Sequence, residues 1–243
     1  MSQLEISVRG TGSTIRPAER ALLSLTAASP EVTTPAEASA VVTATANTIR
    51  DVILPLCSKD ENTGCTSADA AIVHYSMSTM DTSKYAPPCI REQDGSTSTA
   101  GGPLYSARVA FTIKFQDFAA LNTIATQFSA MDHVRISDIT WSLTDITLEA
   151  IKGGARKKAA IEAIQKARDH AEVFAGIEAE EELKKRVRPV TVSEERYYAQ
   201  STRPHLHVGK GQRGRRAVRE ELQFEPEDVK MEVVVNAKFV VDL

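Results

Sequence analysis

Between residues 159 and 175 an alanine falls at every fourth position: Ala159, Ala163, Ala167, Ala171 and Ala175. Residues four apart share one face of a helix. A strip this regular therefore leaves only methyl groups on one side, and a helix so faced can lie close against a sheet or a second helix. The pattern predicts one long helix from Asp145 to about Ala175. Gly153 and Gly154 near its start weaken it locally, by about 1 kcal/mol each relative to alanine.

Strands are available to receive that helix. Leu4, Ile6 and Val8 alternate with polar neighbours, and Leu22 to Thr26 reads as the hairpin partner of that first strand. The glycines between them, Gly10 and Gly12 in GTGST, invite comparison with a phosphate-binding loop. That loop needs a helix directly after its glycines, and a third glycine or a Lys-Ser/Thr pair. Here Ser13-Thr14-Ile15-Arg16-Pro17 follows, so the residues favour a turn in which glycine supplies a positive φ. Tyr105 to Phe115 alternates cleanly. So does the closing stretch Val229, Met231, Val233, Val235, Ala237, Phe239 and Val241.

Two further helices are signalled by their ends. Thr34-Pro35-Ala36-Glu37 combines a capping threonine, a proline suited to the first turn and a glutamate able to reach back; this helix is expected to stop before Pro55. Asp117 to Met131 carries Phe118, Leu121, Ile124, Ala125 and Phe128 on one face. Strands are expected over Ala71–Thr79, Val134–Leu143 and Val190–Glu194. The inward set of Val134–Leu143 changes phase at Ser137-Asp138, as a bulge would require. The sum is an α+β chain with a mainly antiparallel sheet in the order ββαββαβαββ and three helices packed on one face.

These residues also carry a likeness. The opening ISVRGTGS, the capped helix after ASPEVTTPAEA, the DITWSLTD stretch leading into AIQKARDHAEVFAG and the alternating last strand resemble the SIMPL domain family. The likeness spans nearly the whole chain. It implies one domain over 1–243, with loop insertions at about 81–103 and 200–225. It implies an α+β fold and, from some bacterial relatives, assembly into rings or channel-like oligomers. The animal member is named for binding a Pelle-like kinase, which makes a signalling adaptor a further expectation. No catalytic residues come with the resemblance.

Composition narrows the chemistry. Cys57, Cys65 and Cys89 are odd in number and lack CxxC spacing, so they form neither a disulfide framework nor a zinc site. Glu5 and Arg9 interrupt the region where a secretory signal would be apolar, and no run reaches the roughly 18 apolar residues of a membrane span. A cytoplasmic protein without membrane contact is expected. Neither a nucleophile elbow nor HExxH occurs. His205 and His207 offer two metal ligands, too few for a site. An enzymatic or small-molecule alternative would need His74, His133 and His170 gathered in a pocket between sheet and helices.

Charge is the strongest local signal. From Lys184 to Arg219 eleven cationic side chains face only two carboxylates, Glu194 and Glu195, although the formal net charge of the chain is −3. Within it Lys210, Arg213, Arg215, Arg216 and Arg219 are glycine-spaced and suit a solvated flexible loop, an acidic protein partner or, by their composition, nuclear import. Nucleic acid is disfavoured, because Tyr197 and Tyr198 are the only nearby aromatics for base stacking. Glu178 and Glu180 to Glu182 precede Lys184 at helical salt-bridge spacing. The expected function is that of a non-enzymatic interaction protein. No cofactor is expected, its partner is another protein such as a kinase or an acidic surface, and it self-associates through helix faces or sheet edges, the closing strand above all.

Overall fold

The structure, a computed structural model, describes residues 3–57, 67, 69–85, 90–91, 97–98, 102–201 and 224–242. In chain order its elements are β1 (Gln3–Pro17), β2 (Arg20–Ala28), α1 (Pro35–Ile53) with a 3-10 turn at Leu54–Leu56, β3 (Ile72–Met77), β4 (Asp81–Tyr85), β5 (Ile90–Arg91) and β6 (Thr97–Ser98). They continue with β7 (Leu104–Phe115), α2 (Phe118–Ser129), β8 (Val134–Ser142), α3 (Asp145–Ala175), α4 (Glu180–Arg186), β9 (Val187–Ser201) and β10 (Asp228–Asp242). The chain divides into two compact units. The first contains β1, α3, α4, β9 and β10; the second contains β2 to β7, α1, α2 and most of β8.

In the first unit β10 is the middle strand of the order β1-β10-β9. It pairs antiparallel with β1 from Gln3↔Asp242 to Pro17↔Asp228 without a slip. The alternation of Ile6, Val8, Gly10 and Gly12 with polar residues thus shares a face with Phe239, Ala237, Val235 and Val233. α3 covers that face with Ile151, Ala155, Ala159, Ala163, Ala167 and Ala171. A repeat of four overshoots the 3.6-residue turn, so the buried strip moves about 40° around the helix at each step. A helix with such a strip stays in contact only with a surface that turns with it, which a β-sheet does by its own twist.

Glycine sets how closely the two approach. A Cβ placed on Gly12 would fall on the carbonyl oxygen of Ala155 and 2.6 Å from the amide nitrogen of Ala159. One placed on Gly10 would fall on the carbonyl oxygen of Ala159 and 2.7 Å from the amide nitrogen of Ala163. The glycines of the strand and the alanines of the helix are one feature: the missing side chains let the two backbones touch. Ends are secured separately. Thr144 caps α3, accepting from the Thr147 N–H at 3.3 Å. Glu19 accepts from the N–H and hydroxyl of Thr144 at 2.9 and 2.6 Å and from the hydroxyl of Thr147 at 2.7 Å. At the other end Gly176 adopts φ 64°, the left-handed conformation that terminates helices without a Cβ penalty.

In the second unit the sheet order is β3-β7-β2-β8, with β4 also pairing to β7. β2 buries Ala21, Leu23, Leu25 and Ala27, and β7 buries Ala107, Val109, Phe111, Ile113 and Phe115. α1 and α2 both pack on this pair of strands. The α1 N-terminus forms as its sequence suggests, with the Thr34 hydroxyl accepting from the Glu37 N–H at 3.2 Å and Pro35 in the first turn. Asp117 likewise caps α2 through Ala119 and Ala120.

Several expectations are corrected. The α+β class and the antiparallel pairing hold, but four α-helices form among the described residues and the element order is longer than ββαββαβαββ. The helices also divide between two sheets, α3 on one and α1 with α2 on the other, instead of covering one face of a single sheet. β1 does not form a hairpin with β2; its partner is β10, and β2 lies between β7 and β8. Gly10 and Gly12 are not turn residues: they sit mid-strand without positive φ, and their role is close approach. β9 is far longer than Val190–Glu194, because β10 offers it a ladder from Val229↔Ser201 to Val241↔Val187. The Glu180–Arg186 segment folds as its own helix around the buried Leu183, with Lys184 bonded to Glu180 at 2.9 Å and Glu181 at 3.2 Å. Finally, residues 81–85 of the 81–103 insertion are a strand paired to 104–108.

Candidate functional site

The first unit has two sheet edges, and they differ. Along β1 the backbone groups of Arg9, Thr11 and Ser13 point away from β10, and α3 side chains reach over to bond them. Lys166 Nζ donates to the Arg9 carbonyl at 2.9 Å, and Lys158 Nζ donates to the Ser13 carbonyl at 3.1 Å. Between them Glu162 accepts from the Thr11 N–H at 2.6 Å and from its hydroxyl at 2.9 Å. Lys166 also pairs with Glu162 at 2.7 Å. The Lys166 bond, then the Thr11 amide and hydroxyl, hold the Glu162 carboxyl down at about 2. This edge is closed by side chains, a recognised way of preventing strand addition.

β9 forms the other edge, and among the described residues no strand pairs with its outer side. The β10 register shifts between Val234/Val235 and between Lys238/Phe239. These shifts leave Glu195 and Val190 as the extra residues of two bulges on β9. Pro189 lies beside the second. Val190 and Val192 are both 60% exposed, uncommon for valines in a strand this long. Arg156 on α3 bonds Glu194 at 2.6 Å, which raises the arginine pKa and lowers that of the carboxylate.

Two grooves flank this sheet. On the helix side, α3 leaves the β9 margin uncovered, and a groove of about 230 Å³ lies between Ala160, Ala163, Ile164 and Arg168 of α3 and Val187, Pro189 and Val192 of β9. Its floor is Val235, Ala237 and Phe239. On the opposite face Ser7, Arg9, Thr191, Ser193, Asn236 and Lys238, with Val8 and Ala237, line an open depression of about 470 Å³. Its charges are matched: Lys238 pairs with Glu5 at 2.7 Å, and Arg9 lies 3.6 Å from Glu195, which also accepts from Asn236 at 3.2 Å.

The residues singled out from sequence fall elsewhere. Lys210, Arg213, Arg215, Arg216 and Arg219 lie outside the described residues, as do His205 and His207. Farther upstream in the basic run, Arg186 lies 3.6 Å from Glu182 and Arg188 4.0 Å from Asp242. His74, His133 and His170 are all exposed, and none of them lines either groove; His133 has φ 66° after α2, and His170 meets Phe174 edge-on at 5.9 Å. No group of three or more potential metal-ligating side chains occurs among the described residues. No described helix is long and apolar enough to cross a membrane. The edge-capping trio Lys158, Glu162 and Lys166 was missed. Its spacing of four was visible, but only the position of β1 gives those charges a target.

The glycine pair in β1 and the alanine strip of α3 form opposite sides of one interface. The model of the SIMPL family, described as proteins of unknown function (DUF541), matches residues 6–239. This chain belongs to the SIMPL family. No curated protein matches it. Within the matched region of this SIMPL chain lie Gly10, Gly12, the whole of α3 and every lining residue of both grooves.

Proposed function

We propose that this SIMPL chain is a non-enzymatic interaction protein that associates through the outer edge of β9, pairing with a second copy of itself. The observation that carries this is the asymmetry of the first unit: α3 side chains close the β1 edge, whereas among the described residues no strand lies on the outer side of β9, which exposes Val190 and Val192. Strand addition supplies affinity through backbone hydrogen bonds and specificity through alternate side chains. The two bulges and Pro189 interrupt the edge, so an added strand has few registers in which to bond. That favours a closed assembly over open-ended growth.

The test is the native mass by light scattering over a hundredfold range of protein concentration, for the wild type and for Val190→Lys and Val192→Pro, the second removing an N–H that faces outward from β9. The wild type is expected to form a defined multimer, and both variants to shift toward the monomer while keeping their circular dichroism. A wild-type monomer throughout, or variants that assemble as the wild type does, would refute the reading.

A further inference from the structure

We infer that the groove between α3 and β9 binds an aliphatic carboxylate, its chain on Val187, Val192 and Phe239 and its carboxylate on Arg168. The lining is apolar apart from that one residue. Arg168 is half-buried, and among the described residues it makes no salt bridge; the Glu180 carboxyl, held down chiefly by Lys184 and least by Arg168, is bonded to Lys184 at 2.9 Å. Neighbouring cations on this helix are engaged: Lys166 with Glu162 at 2.7 Å, Arg156 with Glu194 at 2.6 Å. A guanidinium with free donors at an apolar groove is complementary to a carboxylate, which it can hold through two parallel bonds.

Size narrows the class. A 150 Å³ apolar cavity accommodates benzene, so a groove of about 230 Å³ has room for roughly nine heavy atoms, a chain of about eight to ten carbons with part of it in solvent. The floor of Val235, Ala237 and Phe239 belongs to the core, and Ala160 and Ala163 are small because α3 lies close to the sheet. The groove is therefore a by-product of the alanine strip: where leucines would have filled the space beside the helix, methyl groups leave it open. The ligand site does not depend on assembly through β9, since it uses the helix-facing side of the strand and not its outer backbone edge.

The probe is sodium decanoate below its micellar range, titrated calorimetrically into the full chain, with decylammonium as the charge-reversed control. The expected result is saturable binding at one site per chain with a negative heat-capacity change. Arg168→Gln should weaken decanoate about tenfold, the loss of one charged hydrogen-bonding partner. Val192→Trp, which fills the groove from an exposed position, should abolish binding. Val190→Lys, outside the groove, should leave it unchanged even where it dissolves the multimer, so the two readings fail separately. Absence of saturable binding, equal affinity for decylammonium, or indifference to Arg168→Gln and Val192→Trp would each overturn the proposal. So would preference for a peptide with an apolar C-terminus over decanoate, which would give the groove to a protein partner.

Discussion

Replacing Gly12 by alanine should be among the most damaging single-methyl changes this chain can undergo. In an ordinary strand the exchange stabilises, by roughly 0.5–1 kcal/mol, because glycine has more backbone freedom to lose. Here the added Cβ falls on the carbonyl oxygen of Ala155 and 2.6 Å from the amide nitrogen of Ala159, so backbone must move. Neither atom is the end of a flexible side chain. Relief requires α3 to retreat from β1 along a strip that includes the buried Ala155, Ala159 and Val233. Overpacking typically costs about 1–3 kcal/mol, and a radial gap of up to about 1 Å forfeits a quarter to a half of each contact it opens. The expected loss is therefore at or above about 3 kcal/mol, and Gly10→Ala should behave alike. Gly153→Ala and Gly154→Ala serve as controls in α3, because a Cβ at either meets nothing within 4 Å. Each should stabilise by up to about 1 kcal/mol. Urea unfolding followed by far-ultraviolet circular dichroism measures all four. A Gly12→Ala midpoint equal to or above that of the wild type would refute the close-approach reasoning.

Other consequences can be checked alongside. Glu162 has its carboxyl held at about 2 in the folded chain, below the usual glutamate value, so its bonds contribute stability that is complete above about pH 4.5 and is lost as pH falls toward 2; Glu162→Gln should flatten the pH dependence of the urea midpoint in that interval. Thr144→Val removes the α3 cap and part of the Glu19 network, and should cost about 1–2 kcal/mol by urea titration. Arg156→Ala breaks a pair at the surface and should leave the urea midpoint close to that of the wild type, despite its 2.6 Å bond.

What the sequence disclosed was chiefly local. Thr34-Pro35-Glu37 fixes the start of α1, the alanine strip defines α3, and the phase change in β8 recurs as exposed Ser137 and Asp138 between half-buried Ile136 and Ile139. These features depend on neighbours within a turn or two. Pairing of Gln3 with Asp242 does not, and a glycine pair ahead of another apolar run reads as a hairpin until its distant partner is known. The full length of β9 is not legible in the sequence because its described side chains are mostly exposed and lack the alternation that marks a half-buried strand. The edge closure was hidden for a related reason. Lys158, Glu162 and Lys166 look like solvated helix charges until the carbonyls of Arg9 and Ser13 and the amide of Thr11 are placed beneath them.

The contrast between the closed and the open edge can be measured directly by amide hydrogen exchange at low and high protein concentration. If the chain assembles through β9, amides within Thr191–Glu195 gain protection as concentration rises, whereas that of Thr11, already bonded to Glu162, does not change. Protection of Thr191–Glu195 that is independent of concentration, or a gain confined to β1, would contradict the account.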